Sequence, residues 1–390
     1  MITKRTLLGA AAIVMAAACS NGSQQQAYVE LLGTDTLSIE VYTRSHDRIE
    51  GRLLTRSPVT RVADYVAELS PDGVIDRLEV RYATPSENPT GPPAEVVVVT
   101  LDGDTAFVER TRDETDTIAV PVPAGTVPVV SRLPMPVAFL EFFVRRAVAA
   151  GADEYPFSYL AAGRSRVSRN AITRRSADTV TMDFFGSPIY VAVDGEGRVL
   201  GVSGRATTLK VEIRPVDAGT LDFDVLAADF AERDARGAGI GVASPPDTVL
   251  ASGGGATFEI YYSQPAKRGR LIWGGLVPYD TIWRTGANAA TQFVTSRNLR
   301  IGDARVPAGA YSLWTTFSAE AATLIINEQT GQWGTAYDAS RDLVHVPMSR
   351  APLSDVAERF TISIEETPEG GVLKLAWDDT EFSVPMRVIR

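Results

Sequence analysis

The stretch RGRLIWGGLVPYDTIWRTGANAAT, residues 268–291, gathers the side chains best suited to recognition chemistry. Trp273, Tyr279 and Trp283 offer flat apolar faces, and Arg270, Arg284 and Asn288 offer directed, multi-pronged donors. An apolar wall with a few converging polar groups is what a small-molecule pocket presents. Indole faces suit the C–H faces of sugars, and Arg268, Arg270 and Arg284 suit a carboxylate or phosphate. Thr285, and further along Trp333 and His345, complete the candidate ligand-binding set. The same residues also have a purely structural use. The indoles would anchor a long excursion to a core, Gly274, Gly275 and Gly286 would permit close backbone approach, and Arg284 and Asn288 would satisfy buried carbonyls. Aromatic and Arg residues dominate protein interfaces too. What separates these uses is whether Arg284 faces a pocket or backbone.

Catalysis has fewer parts to work with. The chain has two histidines. His46, in RSHDR, sits among charges at a strand end; His345, in RDLVHVPM, shares strand parity with Leu343 and could be oriented as a base by Asp338 or Asp342. GAGIG at 237–241 lacks the strand-to-helix context of a phosphate loop, and no His or Cys pair has zinc spacing. TRDETDT at 111–117 reads as an exposed hairpin and WDDTE at 377–381 as a turn, neither of them an acid/base pair. No catalytic residue, metal or cofactor is therefore assigned. The reading is a non-enzymatic binding or scaffold module. The alternatives are an enzyme acting on envelope polysaccharide, needing two carboxyls about 5–10 Å apart, and a periplasmic lipid carrier.

The elements that must hold these residues are mostly strands. In TLSIEVYTR, Leu37, Ile39, Val41 and Thr43 alternate with Ser38, Glu40 and Tyr42, and turn sequences at 70–73, 101–104 and 193–197 interrupt such runs. The pattern predicts an antiparallel meander of eight to ten strands over 27–215. One helix breaks it, with Val137, Leu140, Phe143, Val144 and Val148 on one stripe between Pro136 and Gly151. A second helix is predicted over Asp222 to Arg236, within a helical and Gly/Pro-rich linker at 216–254. All five Trp lie beyond residue 272, so the two halves have different cores. Over 255–390, short strands between Gly/Pro turns predict a β-sandwich. The fold class is mainly β: an N-terminal antiparallel meander with one packed helix, plus a C-terminal sandwich.

Four blocks in order, YYSQPAKRGRLIWGGLVPYDTIWRTGANAAT, VPAGAYSLWTT, IINEQTGQWG and LKLAWDDTEFSVP, resemble the domain of unknown function 2911 over residues 255–390. The resemblance implies an exported, mostly β domain and carries no agreed activity. AEAATLIIN departs from the family, which often has a Trp in that strand.

The N-terminus addresses the chain. Lys4 and Arg5 precede an apolar run, Leu7 to Ala18, too short to span about 30 Å of hydrocarbon. Ala16, Ala17 and Ala18 stand before Cys19, the one cysteine in 390 residues. This resembles a bacterial lipoprotein signal over 1–18, with lipidation of Cys19, a polar tether at 19–26, and Ser20 favouring the outer membrane. The expected location is a lipid-anchored outer-membrane protein facing the periplasm or the cell surface. Removing Lys4 and Arg5 takes the formal charge from −10 to −12, because 1–18 hold no acid. So acidic a chain disfavours nucleic acid. The expected partners are the membrane, through the lipid, and a glycan, a small anion or an envelope protein.

Overall fold

A computed structural model of the protein describes residues 25–87 and 92–389. The signal segment, Cys19 and nearly all of the expected tether lie outside them. The chain forms two large sheets. The first has fifteen strands, from Gln26–Leu32 to Glu212–Val216, against the eight to ten expected. Neighbours in sequence are neighbours in the sheet, except that Thr115–Pro121 and Val127–Val129 stand at its two ends and the first strand also pairs with the last. Alternation drives this, as in Arg61–Leu69, where Ala63, Tyr65 and Ala67 turn inward. Val127–Val129 pairs in parallel with Glu154–Ala161 at one end of the sheet. It also lies near Ile75–Ala83 on the opposite wing, so the sheet curls round on itself.

Helix α1, Val137–Ala150, occupies the inside of that curl. Phe139 meets Tyr65 of one wing at 5.5 Å, and Phe143 stacks on Phe157 of the other at 3.9 Å. The helix stops where Gly151 adopts φ 62°, which suits glycine at a helix C-terminus. Because both wings embrace it, α1 is buried nearly all round, including Phe139, Leu140, Phe142, Phe143 and Val144.

Helix α2, Phe223–Ala235, is capped by the Asp222 carboxylate, which accepts from the Val225 N–H. Its Phe223, Ala227 and Phe230 pack on the outer face of the first sheet against Ile39, Leu54 and Val62. Arg52 and Arg56 cover the two phenyl rings at 4.4 and 3.8 Å. The stretch read as a linker is thus partly structured: it also contains Pro246–Gly253, the edge strand of the second sheet.

The second sheet has nine strands in one continuous order, from Pro246–Gly253 to Ala304–Val306. Its sandwich character comes from folding back on itself. The long strands Asp342–Thr367 and Gly370–Val388 shift register around Pro352, Ala357 and Thr361, opposite Asp378 at φ 57°. WDDTE, expected as a turn, is this irregular part of a strand. Two carboxylates and a positive φ mimic turn chemistry where the ladder is merely interrupted. Beyond the bend the hairpin returns to the edge strand, and the Ser252 N–H donates to Glu366 at 2.8 Å. Phe258, Ile260, Phe293 and Leu313 then face Phe360, Leu375, Trp377 and Phe382 in one core.

Candidate binding cleft

Between strands Ala256–Ser263 and Thr291–Thr295 the chain makes the long excursion that holds the RGRLIWGG…WRTGAN sequence. It has no ladder of its own, and two indoles fasten it. Trp273 packs on Phe317 at 4.7 Å and edge-on to Phe382 at 5.2 Å. Trp283 stacks on Trp377 at 5.9 Å, and its backbone exchanges two 2.8 Å hydrogen bonds with Thr315. Gly274, at φ 78°, lies so close to the Tyr279 ring that a Cβ would sit 2.7 Å from it. Tyr279 itself is exposed and does not line the cleft. Thr285 is fully buried at φ 51°. Its hydroxyl lies 3.2 Å from that of Thr315, and its carbonyl accepts from the Thr291 hydroxyl at 2.7 Å.

The three arginines have different fates. Arg268 is buried and pairs with Asp35 of the first sheet, while its carbonyl accepts from the Thr34 N–H at 3.0 Å. It ties the two sheets together and is not free for an anion. Arg270 donates its Nε to the Lys267 carbonyl at 3.0 Å and an Nη to the Ala266 carbonyl. Arg284 makes neither an ion pair nor a side-chain hydrogen bond among the described residues, and its Nε is buried without a partner. Burial alone pulls its guanidinium below the usual value. The side chain lies against Gly334, where a Cβ would meet the Arg284 Cδ at 2.0 Å. Asn288, at φ 62°, turns its amide inward to the Ser263 hydroxyl at 3.2 Å and the Ser244 carbonyl at 3.4 Å.

Arg270, Trp283, Arg284 and Asn288 come together on one wall of a cleft of about 680 Å³. Leu276, Ile282, Trp314 and Trp377 join them, and the facing wall belongs to the first sheet: Leu32, Leu37 and the loop Ala206–Val211. That loop brings Lys210, at φ 56°, which donates its Nζ to the Arg205 carbonyl at 2.7 Å. Burial holds the Lys210 ammonium below its ordinary value, and Arg284 and Arg270 push it further down. No carboxylate lines the cleft among the described residues.

The other candidates lie elsewhere. Trp273 is in the core beneath the excursion, and Thr285 is in its hydrogen-bond frame. Trp333 is half exposed. His345 is exposed on the outer face, with Nε2 2.9 Å from Asp342 Oδ2. It shares parity with Leu343, but Val346 and Met348 are the residues that turn inward, so the parity points outward. Lys210 was missed by the sequence reading. Its one signal was rarity: the chain has four lysines, at 4, 210, 267 and 374.

Fold and site together define a mainly β chain with two large sheets and a cleft between them. Residues 244–386, the C-terminal part of the chain, match the family described as "Protein of unknown function (DUF2911)". No curated protein matches the chain. Among solved structures it is similar to a β-barrel-like protein of domain of unknown function DUF1849 from Brucella abortus. Identity is 14%, over 50% of this chain and 95% of that one, with a TM-score of 0.34. A DUF1089 family protein from Pseudomonas aeruginosa is 16% identical over 45% of this chain and 93% of that one, with a TM-score of 0.31.

Proposed function

We propose that the protein is a lipid-anchored envelope protein acting as a non-enzymatic binding or scaffold module, with its small-molecule site in the cleft beside the WRTGAN segment. The observation that carries this is the wall itself: Trp283, Arg270 and Arg284 line one concavity whose volume is in the range of small-molecule sites. The anchor is Cys19. Gln26 already belongs to the first sheet, so the few residues between them span at most about 20–25 Å and hold that sheet near the bilayer. Polysaccharide hydrolysis is disfavoured there because the cleft has no carboxyl pair among its described lining residues. Lipid carriage through the first sheet is disfavoured because α1 fills the curl with Phe139, Leu140, Phe142 and Phe143.

Titrating intrinsic tryptophan fluorescence with envelope glycans and small anions tests the reading. A saturable change, lost in Trp283→Leu, is expected. No response to any compound, together with a large stability loss in Arg284→Ala, would return the excursion to pure scaffolding.

A further inference from the structure

We infer that the cleft recognises an organic oxyanion, a carboxylate or phosphate head on a compact apolar body, and that Lys210 of the first sheet completes the head site with Arg284 and Arg270. The inference rests on the reading of the cleft as a binding site and adds its ligand class and the share of the first sheet.

The charges carry it. The chain has 48 acidic against 38 basic residues, yet the charged residues lining this concavity are Lys210, Arg270 and Arg284. Elsewhere several basic side chains of low exposure find carboxylates: Arg132 has Glu30, Arg145 has Glu141, Arg268 has Asp35 and Lys267 has Asp378. Arg44 and Arg56, which also have no carboxylate among the described residues, lie over the Phe142 and Phe230 rings instead. Arg284 has none, and its Nε is buried without a partner. A desolvated cation without a counter-charge opposes folding, and gathering three like charges adds repulsion. An oxyanion removes both penalties at once, and a guanidinium fork matches its geometry.

The shape supplies the rest of the ligand. Trp283, Leu276 and Ile282 form an apolar wall on one side, with Trp377 buried behind Trp283, and Leu32 and Leu37 form one on the other. Inorganic phosphate would leave these surfaces unused, whereas a ring or short branched chain behind the head would cover them. The two walls belong to different sheets, so a bound anion also bridges them, beside the Arg268–Asp35 tie.

Benzoate, phenyl phosphate and neutral benzyl alcohol, with a neutral oligosaccharide as a fourth probe, separate the possibilities. Each is titrated into the full chain by tryptophan fluorescence and by thermal melting. At least one aromatic anion is expected to bind saturably and raise the melting temperature, less so at high salt, while benzyl alcohol does neither. The stronger of the two anions identifies the head as carboxylate or phosphate. Lys210→Gln and Arg284→Gln should each weaken binding about tenfold or more. Without ligand, Arg284→Gln should melt at or above the wild-type temperature, because a cation without a partner is removed. A structural arginine would instead lower it.

Binding of benzyl alcohol or the oligosaccharide without binding of either anion would overturn the oxyanion and leave the cleft a binding site. Unchanged anion affinity in Lys210→Gln would overturn the contribution of the first sheet. Silence from all four probes would overturn both the oxyanion and the cleft as a binding site.

Discussion

The inside of the curled sheet and the cleft between the sheets both bury charge, and they treat it in opposite ways. Under α1 the buried carboxylates are answered from within. Glu141 is fully buried, accepting from the Val199 N–H at 3.0 Å and the Arg145 Nε at 2.9 Å. Glu40 is buried among the Tyr65 hydroxyl, at 2.7 Å, and the first N–H groups of α1. Glu30 pairs with Arg132 and accepts from the Ser38 hydroxyl at 2.6 Å. In the cleft Arg284 has no such answer. The same arithmetic of desolvation applies to both. A paired interior charge therefore reads as architecture, and the unpaired Arg284 at a concave surface is the charge that the proposed recognition would use.

Two substitutions break that comparison most sharply. Glu141→Ala deprives both Arg145 and the Val199 N–H of their acceptor, so it should cost about 3–5 kcal/mol. Arg284→Met removes a half-buried cation that has no partner, and it should be neutral or stabilising within about 1 kcal/mol. Urea unfolding followed by circular dichroism reads both, with separate transitions for the two halves analysed separately. Equal losses in the two variants would mean that Arg284 is architectural after all.

Acid sharpens the contrast within the interior. Burial pushes the Glu40 carboxyl up from 4.5 to about 7, against the lowering pull of Tyr65, the α1 N–H groups and Arg132. The folded state therefore holds this proton more tightly than the unfolded chain. The contribution of Glu40 to stability is greatest below about 4.5, declines as pH rises through that window, and is lowest above about 7. At about 1.4 kcal/mol per unit, the swing is roughly 3 kcal/mol at most. Glu40→Gln stays neutral while keeping an acceptor for α1. The difference in unfolding free energy between pH 5 and pH 8 should shift accordingly, with the variant gaining relative to wild type at pH 8. An identical pH profile in both proteins would place the charge of Glu40 outside the linkage.

Much of the fold was legible in the sequence because its signals are local. The stripe Val137–Val148 between Pro136 and Gly151 became α1, and Asp222 became the cap of α2. The turn sequences at 70–73, 101–104 and 193–197 each join neighbouring strands. The strand count fell short because several hairpins turn without an Asp-Gly signature, as at Ser45–Asp47 and Gly33–Thr34. The candidate site was half legible. Arg270, Trp283, Arg284 and Asn288 share one wall because one excursion carries them. What sequence did not reveal is pairing across distance. Asp35 lies far along the chain from Arg268, and Lys210 is far from Arg284. No periodicity links such positions; only the closure of one sheet against the other does.

The smallest expected effect tests where the site ends. His345 and Asp342 have the look of an oriented base, with 2.9 Å between Nε2 and Oδ2. Yet the imidazole side chain is 55% exposed, and the carboxylate is also held by the Tyr337 hydroxyl and the Asn327 amide. An exposed imidazole on such a carboxylate is worth little, and the carboxylate keeps its other partners when the ring is gone. His345→Ala should therefore change unfolding free energy by less than about 0.5 kcal/mol and leave the response of the cleft to aromatic anions as it was. Loss of that response would extend the functional surface from the cleft across the outer face of the second sheet. The boundary between answered and unanswered charge would then lie beyond the cleft.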